Sequence, residues 1–136
     1  MSGGLIVGTA LRGFVALTSG LVPATSIRVG KNVTNAPLNN LLIKRISWRR
    51  GPLLARQARR HVTERLQVTV KAKDHQDRTD ILKAVVDALD LTRPANLGTL
   101  TNISIVSAGG GPEFEDDEAT IFMGSHDFYV DYDEQA

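Results

Sequence analysis

The residues of this sequence that could carry out chemistry are few and scattered. Its three histidines, His61, His75 and His126, do not have the close spacing of a metal site, and we predict that they occupy solvated loop or strand positions. There is no cysteine, which excludes disulfides, thiolate metal ligands and cysteine nucleophiles. No serine stands in the G-x-S-x-G pattern of a nucleophile elbow. We therefore expect no catalytic residue, no cofactor and no enzymatic activity.

Two motifs in the second half of the chain resemble ligand-binding patterns without completing them. The glycine run at 109–111 lacks the Lys-Ser/Thr pair of a phosphate-binding loop, and the acids that follow it would repel phosphate. These acids are Glu113, Glu115, Asp116, Asp117 and Glu118. They lack the alternating order of a calcium-binding loop. The segment 107–118 is therefore predicted to be a flexible loop with a solvated acidic end and no metal.

A strongly basic segment precedes the middle of the chain. It spans residues 49–61 and contains no acid; its arginines are Arg49, Arg50, Arg56, Arg59 and Arg60. It could contact the phosphates of a nucleic acid. The low net charge of +1 and the lack of aromatic residues in the segment argue against that partner. The alternative partner is an acidic surface on a second copy of the chain. A head-to-tail contact of this kind can close into a ring. The five arginines and the five acids are thus the candidate interface residues.

The charges are also sorted along the chain. Residues 1–73 contain thirteen Lys or Arg and one acid, a formal charge of +12. Residues 74–136 contain three Lys or Arg and fourteen acids, a formal charge of −11. A nearly neutral protein divided in this way is a dipole in sequence, and the fold decides whether it is one in space.

The elements that position these charges are organised around residues 62–90. Strict alternation predicts a strand over 62–72 with one buried face, formed by Val62, Leu66, Val68, Val70 and Ala72. The period then changes to that of a helix, with apolar residues at 81, 82, 85, 86 and 89. Acids at positions 77 and 80 are placed to cap and charge its first turn.

The remaining elements follow from the same patterns. We predict an amphipathic helix over 3–19, a short strand over 26–29, and further strands over 41–48, 100–106 and 119–132. In the strand over 41–48, Leu42, Ile46 and Trp48 fall at even spacing, and Gly124 suggests a bulge in the last strand. The basic segment is either a long loop or a hairpin whose two arms extend beyond the sheet. The last four residues are expected to fray.

These elements predict one α+β domain over residues 1–136. It has a mostly antiparallel sheet of four to five strands, two helices packed on one face, and long loops between the strands. The N-terminal apolar runs are too short to span a bilayer, and no basic region precedes them. We therefore expect no signal peptide and no contact with a membrane.

The order of elements resembles that of the tail terminator, or tail completion, proteins of long-tailed bacteriophages and gene transfer particles. The stretches that carry the resemblance are ALRGFVAL, SIRVGKNVTNAPLNNLLIKRISW, RLQVTVKAKD, DRTDILKAVVDALD, LTNISIV and ATIFMGSHDFYVDY. Together they extend over nearly the whole chain, from residue 5 to residue 132. The length and basicity of residues 49–61 depart from the family pattern and leave the role of that segment open.

The resemblance implies a structural virion protein of the tail or neck, assembled in the host cytoplasm, with no turnover and no cofactor. Copies would form a homo-oligomeric ring, a hexamer, that caps the major tail tube protein and offers a docking face to the head-closure or connector protein. DNA would pass through the lumen without sequence-specific binding. The alternatives are another neck ring, such as a head-closure or adaptor protein, and a small nucleic-acid-binding accessory protein that uses the arginine-rich segment.

Overall fold

A six-stranded sheet with helices on one face forms the body of the protein. The computed structural model describes residues 2–30, 37–51, 59–115 and 121–135. The elements in chain order are α1 (Gly3–Arg12), α2 (Val15–Thr18), a 3₁₀ turn (Ala24–Ser26), β1 (Ile27–Val29), β2 (Asn40–Arg50), β3 (Arg59–Ala72), α3 (His75–Leu89), β4 (Thr101–Gly110), β5 (Phe114–Glu115) and β6 (Phe122–Gln135). The predicted α+β class is confirmed.

The sheet has the strand order β1-β2-β3-β6-β4, and the two-residue β5 also pairs with β6. All of these pairings are antiparallel except that of β1 with β2. The central strand is β3, which pairs along its whole length with β6. The first half of the chain therefore lies directly beside its C-terminal end in the sheet.

The core lies between one face of the sheet and the helices α1 and α3. The alternation predicted for β3 is confirmed, since Val62, Leu66, Val68, Val70 and Ala72 are all buried. The opposite wall comes from the apolar faces of the helices, chiefly Ile6, Val7 and Leu11 of α1 and Ile81, Val85 and Leu89 of α3. Each such side chain contributes about 1.5–3 kcal/mol when fully buried, so this layer holds the helices on the sheet.

The single helix predicted for residues 3–19 is instead two helices. Phe14 is extended, with φ of −88° and ψ of 102°, so the helical path stops after α1 and begins again in α2. The turn brings Leu17 into the core beyond the end of α1. It also leaves the guanidinium of Arg12 free to donate to the carbonyl of Ile27 at 2.8 Å.

The strand β2 is buried only in its first half. Leu41 and Ile43 are buried and Leu42 is not, so the even-numbered positions singled out in the sequence do not form the core face. The pairing with β3 shifts between residues 45 and 47. Beyond this bulge the helices no longer cover the strand, and Ile46 and Trp48 are exposed.

The two ends of the basic segment belong to the arms of a hairpin, which was one of the two structures predicted for it. Arg50 ends β2 and Arg59 begins β3, and the N–H of Gly51 donates to the carbonyl of His61 at 2.8 Å. Residues 52–58 lie outside the described part of the chain. The prediction that the C-terminus frays is wrong for residues 133–135, which continue β6 and pair with residues 59–61.

Three further predictions are corrected around α3. The N-cap is Asp74, whose carboxylate accepts the N–H of Asp77 at 2.7 Å, so neither of the two acids chosen from the sequence caps the helix, although Asp77 does lie in its first turn as predicted. The loop predicted for 107–118 is in part strand, since β4 continues to Gly110 and β5 follows it. The register of β6 with β3 is regular through Gly124, which therefore marks no bulge. A Cβ atom at Gly124 would instead lie 2.9 Å from a methyl carbon of Leu82, so this glycine lets α3 approach the sheet.

Candidate assembly surface

The outer face of the sheet, away from the helices, carries ion pairs between β3 and β6. The clearest joins Arg65 to Asp127, with Nη2 of the arginine 2.9 Å from Oδ2 of the aspartate. The guanidinium also lies 5.7 Å from the ring centroid of Tyr129. This pairing raises the pKa of Arg65, chiefly through the hydrogen bond to Asp127. Basic residues from the first half of the chain are thus matched by acids from the second.

A second cluster on the same face is centred on His61. Its Nδ1 lies 2.9 Å from Asp133 and its Nε2 lies 3.2 Å from Asp131. The hydrogen bond to Asp133 is the main reason that the pKa of His61 is raised, although partial burial opposes it. The pKa of Asp133 is lowered, first by the amide of Asn102, which donates at 2.8 Å, and then by His61. Acids of the C-terminal strand are thus paired with basic residues of the first half of the chain across β3 and β6.

The candidate arginines flank the hairpin at one end of the sheet. Arg49 and Arg50 end β2, whereas Arg59 and Arg60 begin β3. Arg50 Nε lies 3.1 Å from a carboxylate oxygen of Glu134. Arg59 donates to the hydroxyl of Thr101 at 2.7 Å. Arg56 lies outside the described residues, and the structure brings the other four arginines together at this end.

The candidate acids that the structure describes surround one buried arginine of α3. Arg78, which is 3% exposed, lies 3.5 Å from Glu113 and 3.3 Å from Glu115, and both carboxylates remain about half exposed. Its Nη2 lies 2.8 Å from the ring of His75, and the guanidinium stacks on Phe122 at 5.6 Å. The remaining three acids, Asp116, Asp117 and Glu118, lie outside the described residues. Among the residues described, no ion pair joins the candidate acids to the candidate arginines.

A buried carboxylate that we did not predict from the sequence lies at the other end of the core face. Glu64 is only 1% exposed. It accepts the N–H of Gly3 at 2.5 Å and the hydroxyl of Tyr132 at 3.0 Å, and Arg45 approaches it at 3.6 Å. Burial raises the pKa of Tyr132 well above its ordinary value, so this hydroxyl is a donor at neutral pH. One signal in the sequence could have revealed it: Glu64 is the one charged residue among the alternating apolar positions 62–72 of β3.

Trp48 is the other feature missed in the sequence. It is 51% exposed and lies between two arginines, with the guanidinium of Arg45 at 5.7 Å and that of Arg50 at 5.9 Å from its ring centroid. Beside this group a groove of about 500 Å³ runs between α1 and the edge of the sheet. The residues that line it are Gly4, Leu5, Val29, Gly30, Ile43, Arg45, Glu64 and Leu66. An exposed tryptophan between arginines has the composition of a protein-binding surface.

Comparison with known proteins identifies the fold. No family model matches the chain, and no curated protein matches it either. A chain of the solved structure described as "Virion of native gene transfer agent (GTA) particle" is similar to it, with a TM-score of 0.62. The similarity covers 93% of this chain and 91% of that chain, at 12% sequence identity. At this identity the two chains share a fold over nearly their whole lengths.

The described residues also bear on other kinds of site. None of their helices is long and apolar enough to cross a membrane. None of their histidines and acids cluster in a way that could hold a metal ion. The hydroxyl of Ser107 lies 2.5 Å from Nε2 of His126, a nucleophile–base contact that the sequence did not suggest. Within the described part of the chain, the other ring nitrogen of His126 has no carboxylate partner of the kind that orients the base in a catalytic triad.

Proposed function

We propose that this chain is a structural virion protein of a phage-like particle, and specifically a tail terminator. The observation that carries the proposal is the shared fold with a chain of a gene transfer agent virion, over more than nine-tenths of both chains. The order of helices and strands, which by itself resembles the tail terminators, supports the same role. In this role the protein acts by assembly and has no turnover.

In the proposed role, copies form a hexameric ring at the end of the tail tube. One face of the ring contacts the major tail tube protein and the other contacts the head-closure or connector protein, and DNA passes through the lumen without sequence-specific binding. The candidate arginines and acids lie at the contacts between subunits, with Arg56, Asp116, Asp117 and Glu118 included. Exposed ion pairs contribute only about 0–1 kcal/mol each, so they set the register while apolar contacts supply most of the affinity.

Removal of the gene from a particle-producing strain tests this function. We expect tails of uncontrolled length that are not joined to heads, as seen by electron microscopy, and a plasmid copy of the gene should restore normal particles. Normal tails on normal heads would contradict the proposal. Tails of normal length that lack heads would identify the alternative neck role, a head-closure or adaptor ring, since such a protein acts after the tube is complete.

A further inference from the structure

Two exposed aromatic side chains, each flanked by charges of one sign, stand out from the rest of the surface. The first group, the Trp48 corner, consists of Arg45, Trp48 and Arg50. Trp48 is 51% exposed, and both guanidinium groups, which stack on its ring, are themselves partly exposed. Trp and Arg are the side chains most enriched among the residues that dominate binding energy in protein interfaces.

The second group, the Phe114 corner, consists of Glu113, Phe114 and Glu115. Phe114 is 47% exposed and forms part of the two-residue strand β5. The carboxylates on either side are held by the buried Arg78, at 3.5 and 3.3 Å, yet remain about half exposed. A carboxylate accepts several hydrogen bonds, so each can take a second cation on its open side. Because Arg78 already fixes them, less side-chain freedom is lost on binding.

The two corners lie diagonally across the sheet. Trp48 pairs with residue 64 of β3, whereas Phe114 pairs with residue 123 of β6, which itself pairs with residue 71 of β3. The offset of seven residues along β3 corresponds to roughly 23 Å, and the three strand spacings between β2 and β5 add roughly 14 Å across. The corners therefore cannot meet within one subunit, but they are placed to meet between two.

The charged side chains of both corners also point to the same side of the sheet. Arg45 and Trp48 pair with residues 66 and 64 of β3, which face the helices. Glu113 and Glu115 reach Arg78 of α3 on that same side, whereas Phe114 pairs with residue 123, opposite residue 71 of β3, so its ring faces the outer side of the sheet. If two subunits lie edge to edge with their helices on one side, the arginines of one corner come opposite the carboxylates of the other.

Among the described residues, none pairs with the edge of β2 beside the Trp48 corner. β1 pairs only with residues 41–43 of β2. From residue 44 to residue 50 every side chain of β2 is exposed. A strand edge of this kind is a surface to which a second chain readily adds.

We infer that the Trp48 corner of one copy docks on the Phe114 corner of the next copy. This inference rests on the proposed ring function and gives it a specific subunit contact. The two surfaces differ, so the contact is head-to-tail: a pair of copies retains one unused Trp48 corner and one unused Phe114 corner, and the chain of contacts closes when the rotation returns to the first copy. A nucleic acid bound at the Trp48 corner would stack on the tryptophan and would not contact the Phe114 corner. Involvement of Phe114 is thus what distinguishes the two occupants.

Chemical crosslinking in purified particles tests this contact, because the chain has no cysteine of its own. The full-length chain is produced in three forms: Trp48→Cys, Phe114→Cys and the double variant. Particles are treated with a short bismaleimide and examined by immunoblot on a denaturing gel. We expect a ladder of covalent multimers from the double variant and a monomer band from each single variant. Val15→Cys with Leu91→Cys is the matched control, since both side chains are well exposed and lie in neither corner.

A second pair of cysteine substitutions tests the same contact if loss of an aromatic side chain prevents assembly. Ser47→Cys with Pro112→Cys places thiols next to the same corners and retains Trp48 and Phe114. A chain present in particles that gives no ladder with either pair overturns the contact and leaves the ring function intact. A ladder from the control pair, or a dimer from Trp48→Cys alone, also overturns it. Absence of the unmodified chain from particles contradicts the proposed function and, with it, this inference.

Discussion

Two buried charged side chains, Glu64 and Arg78, hold opposite ends of the molecule together in different ways. Glu64 has its hydrogen-bond donors inside the protein, the N–H of Gly3 at the start of α1 and the hydroxyl of Tyr132, and only the more distant Arg45, at 3.6 Å, is partly exposed. Arg78 has partners that face water, because the carboxylates of Glu113 and Glu115 are about half exposed. Both side chains are at least 97% buried, so the difference lies in what surrounds them.

The difference shows what each end of the protein can do. The partners of Glu64 lose their acceptor if it is removed, and water cannot easily replace it, so this end is a fixed joint between α1 and the sheet. The partners of Arg78 can be hydrated or can bind a second cation, so this end can both hold the segment 113–115 and present it to another molecule. We therefore expect the first end to matter chiefly for stability and the second for the proposed contact between copies.

The largest effect is expected from Glu64→Ala. The substitution removes the acceptor of two buried donors, each worth about 1–3 kcal/mol when left unsatisfied, so we expect a loss of about 2–4 kcal/mol in the free energy of unfolding. Glu64→Gln retains a carbonyl oxygen at the same place and should lose about 1 kcal/mol. Urea unfolding followed by circular dichroism measures both. Equal losses from the two variants would show that the charge, and not the acceptor, stabilises this end.

A smaller loss is expected from Arg78→Met, although Arg78 is nearly as buried as Glu64. Methionine fills the space, and the two carboxylates left behind are about half exposed and can be hydrated, so no buried charge is left without a partner. We expect a loss of about 1 kcal/mol, with faster amide hydrogen exchange at residues 114–115 and 122–123. Lys83→Met, on an exposed position of the same helix, is the control and should change neither quantity. A loss as large as that of Glu64→Ala would contradict the comparison.

These two residues also mark the limit of prediction from this sequence. Alternation and helical spacing correctly gave the class of fold, the buried face of β3 and the apolar face of α3, because those patterns depend on neighbours along one strand or helix. Glu64 and Arg78 acquire their roles chiefly from partners that are 35 to 68 positions away in the chain. No local pattern identifies such a partner.

The candidate site shows the same limit. The sequence correctly indicated two groups of opposite charge, but it did not show that β3 and β6 pair and that acids of β6 are paired with basic residues of β3. It also placed Trp48 at even spacing with Leu42, whereas a bulge at residues 45–47 and the end of the helical layer leave the tryptophan exposed. The tertiary contacts decide which of the charges remain available to a partner, and in the described residues the Phe114 and Trp48 corners each combine partly exposed charges with an exposed ring.

The end that contains Arg78 can be weakened from the helix itself. Asp74 caps α3 one turn before Arg78, and its carboxylate accepts the N–H of Asp77 at 2.7 Å. We expect Asp74→Ala to cost about 1 kcal/mol, the usual effect of removing an N-cap. Asp80→Ala is the matched control and should cost less than about 0.5 kcal/mol, because that acid bonds only to an exposed side chain one turn away on the same helix. Thermal unfolding of the two variants ranks them. A larger loss from Asp80→Ala would mean that Asp80 caps the helix, as first predicted from the sequence.

The smallest effect is expected on the outer face, at His61, where charge pairs lie open to solvent. Its pKa is raised above the ordinary value of 6.5, so the folded protein binds this proton more tightly than the unfolded chain does. The resulting stabilisation is fully present below about pH 6.5 and is lost as the pH rises through the folded-state pKa. His61→Asn should therefore be less stable than the wild type in mildly acidic buffer, by less than about 1 kcal/mol because the side chain is exposed, and this difference in stability should narrow above neutral pH.

Titration of the histidine ring by NMR provides the matched test: Asp133→Asn removes the main cause of the shift and should lower the pKa of His61 more than Asp131→Asn does. An equal response to the two substitutions would mean that His61 senses only the general field of the acidic strand and no specific partner.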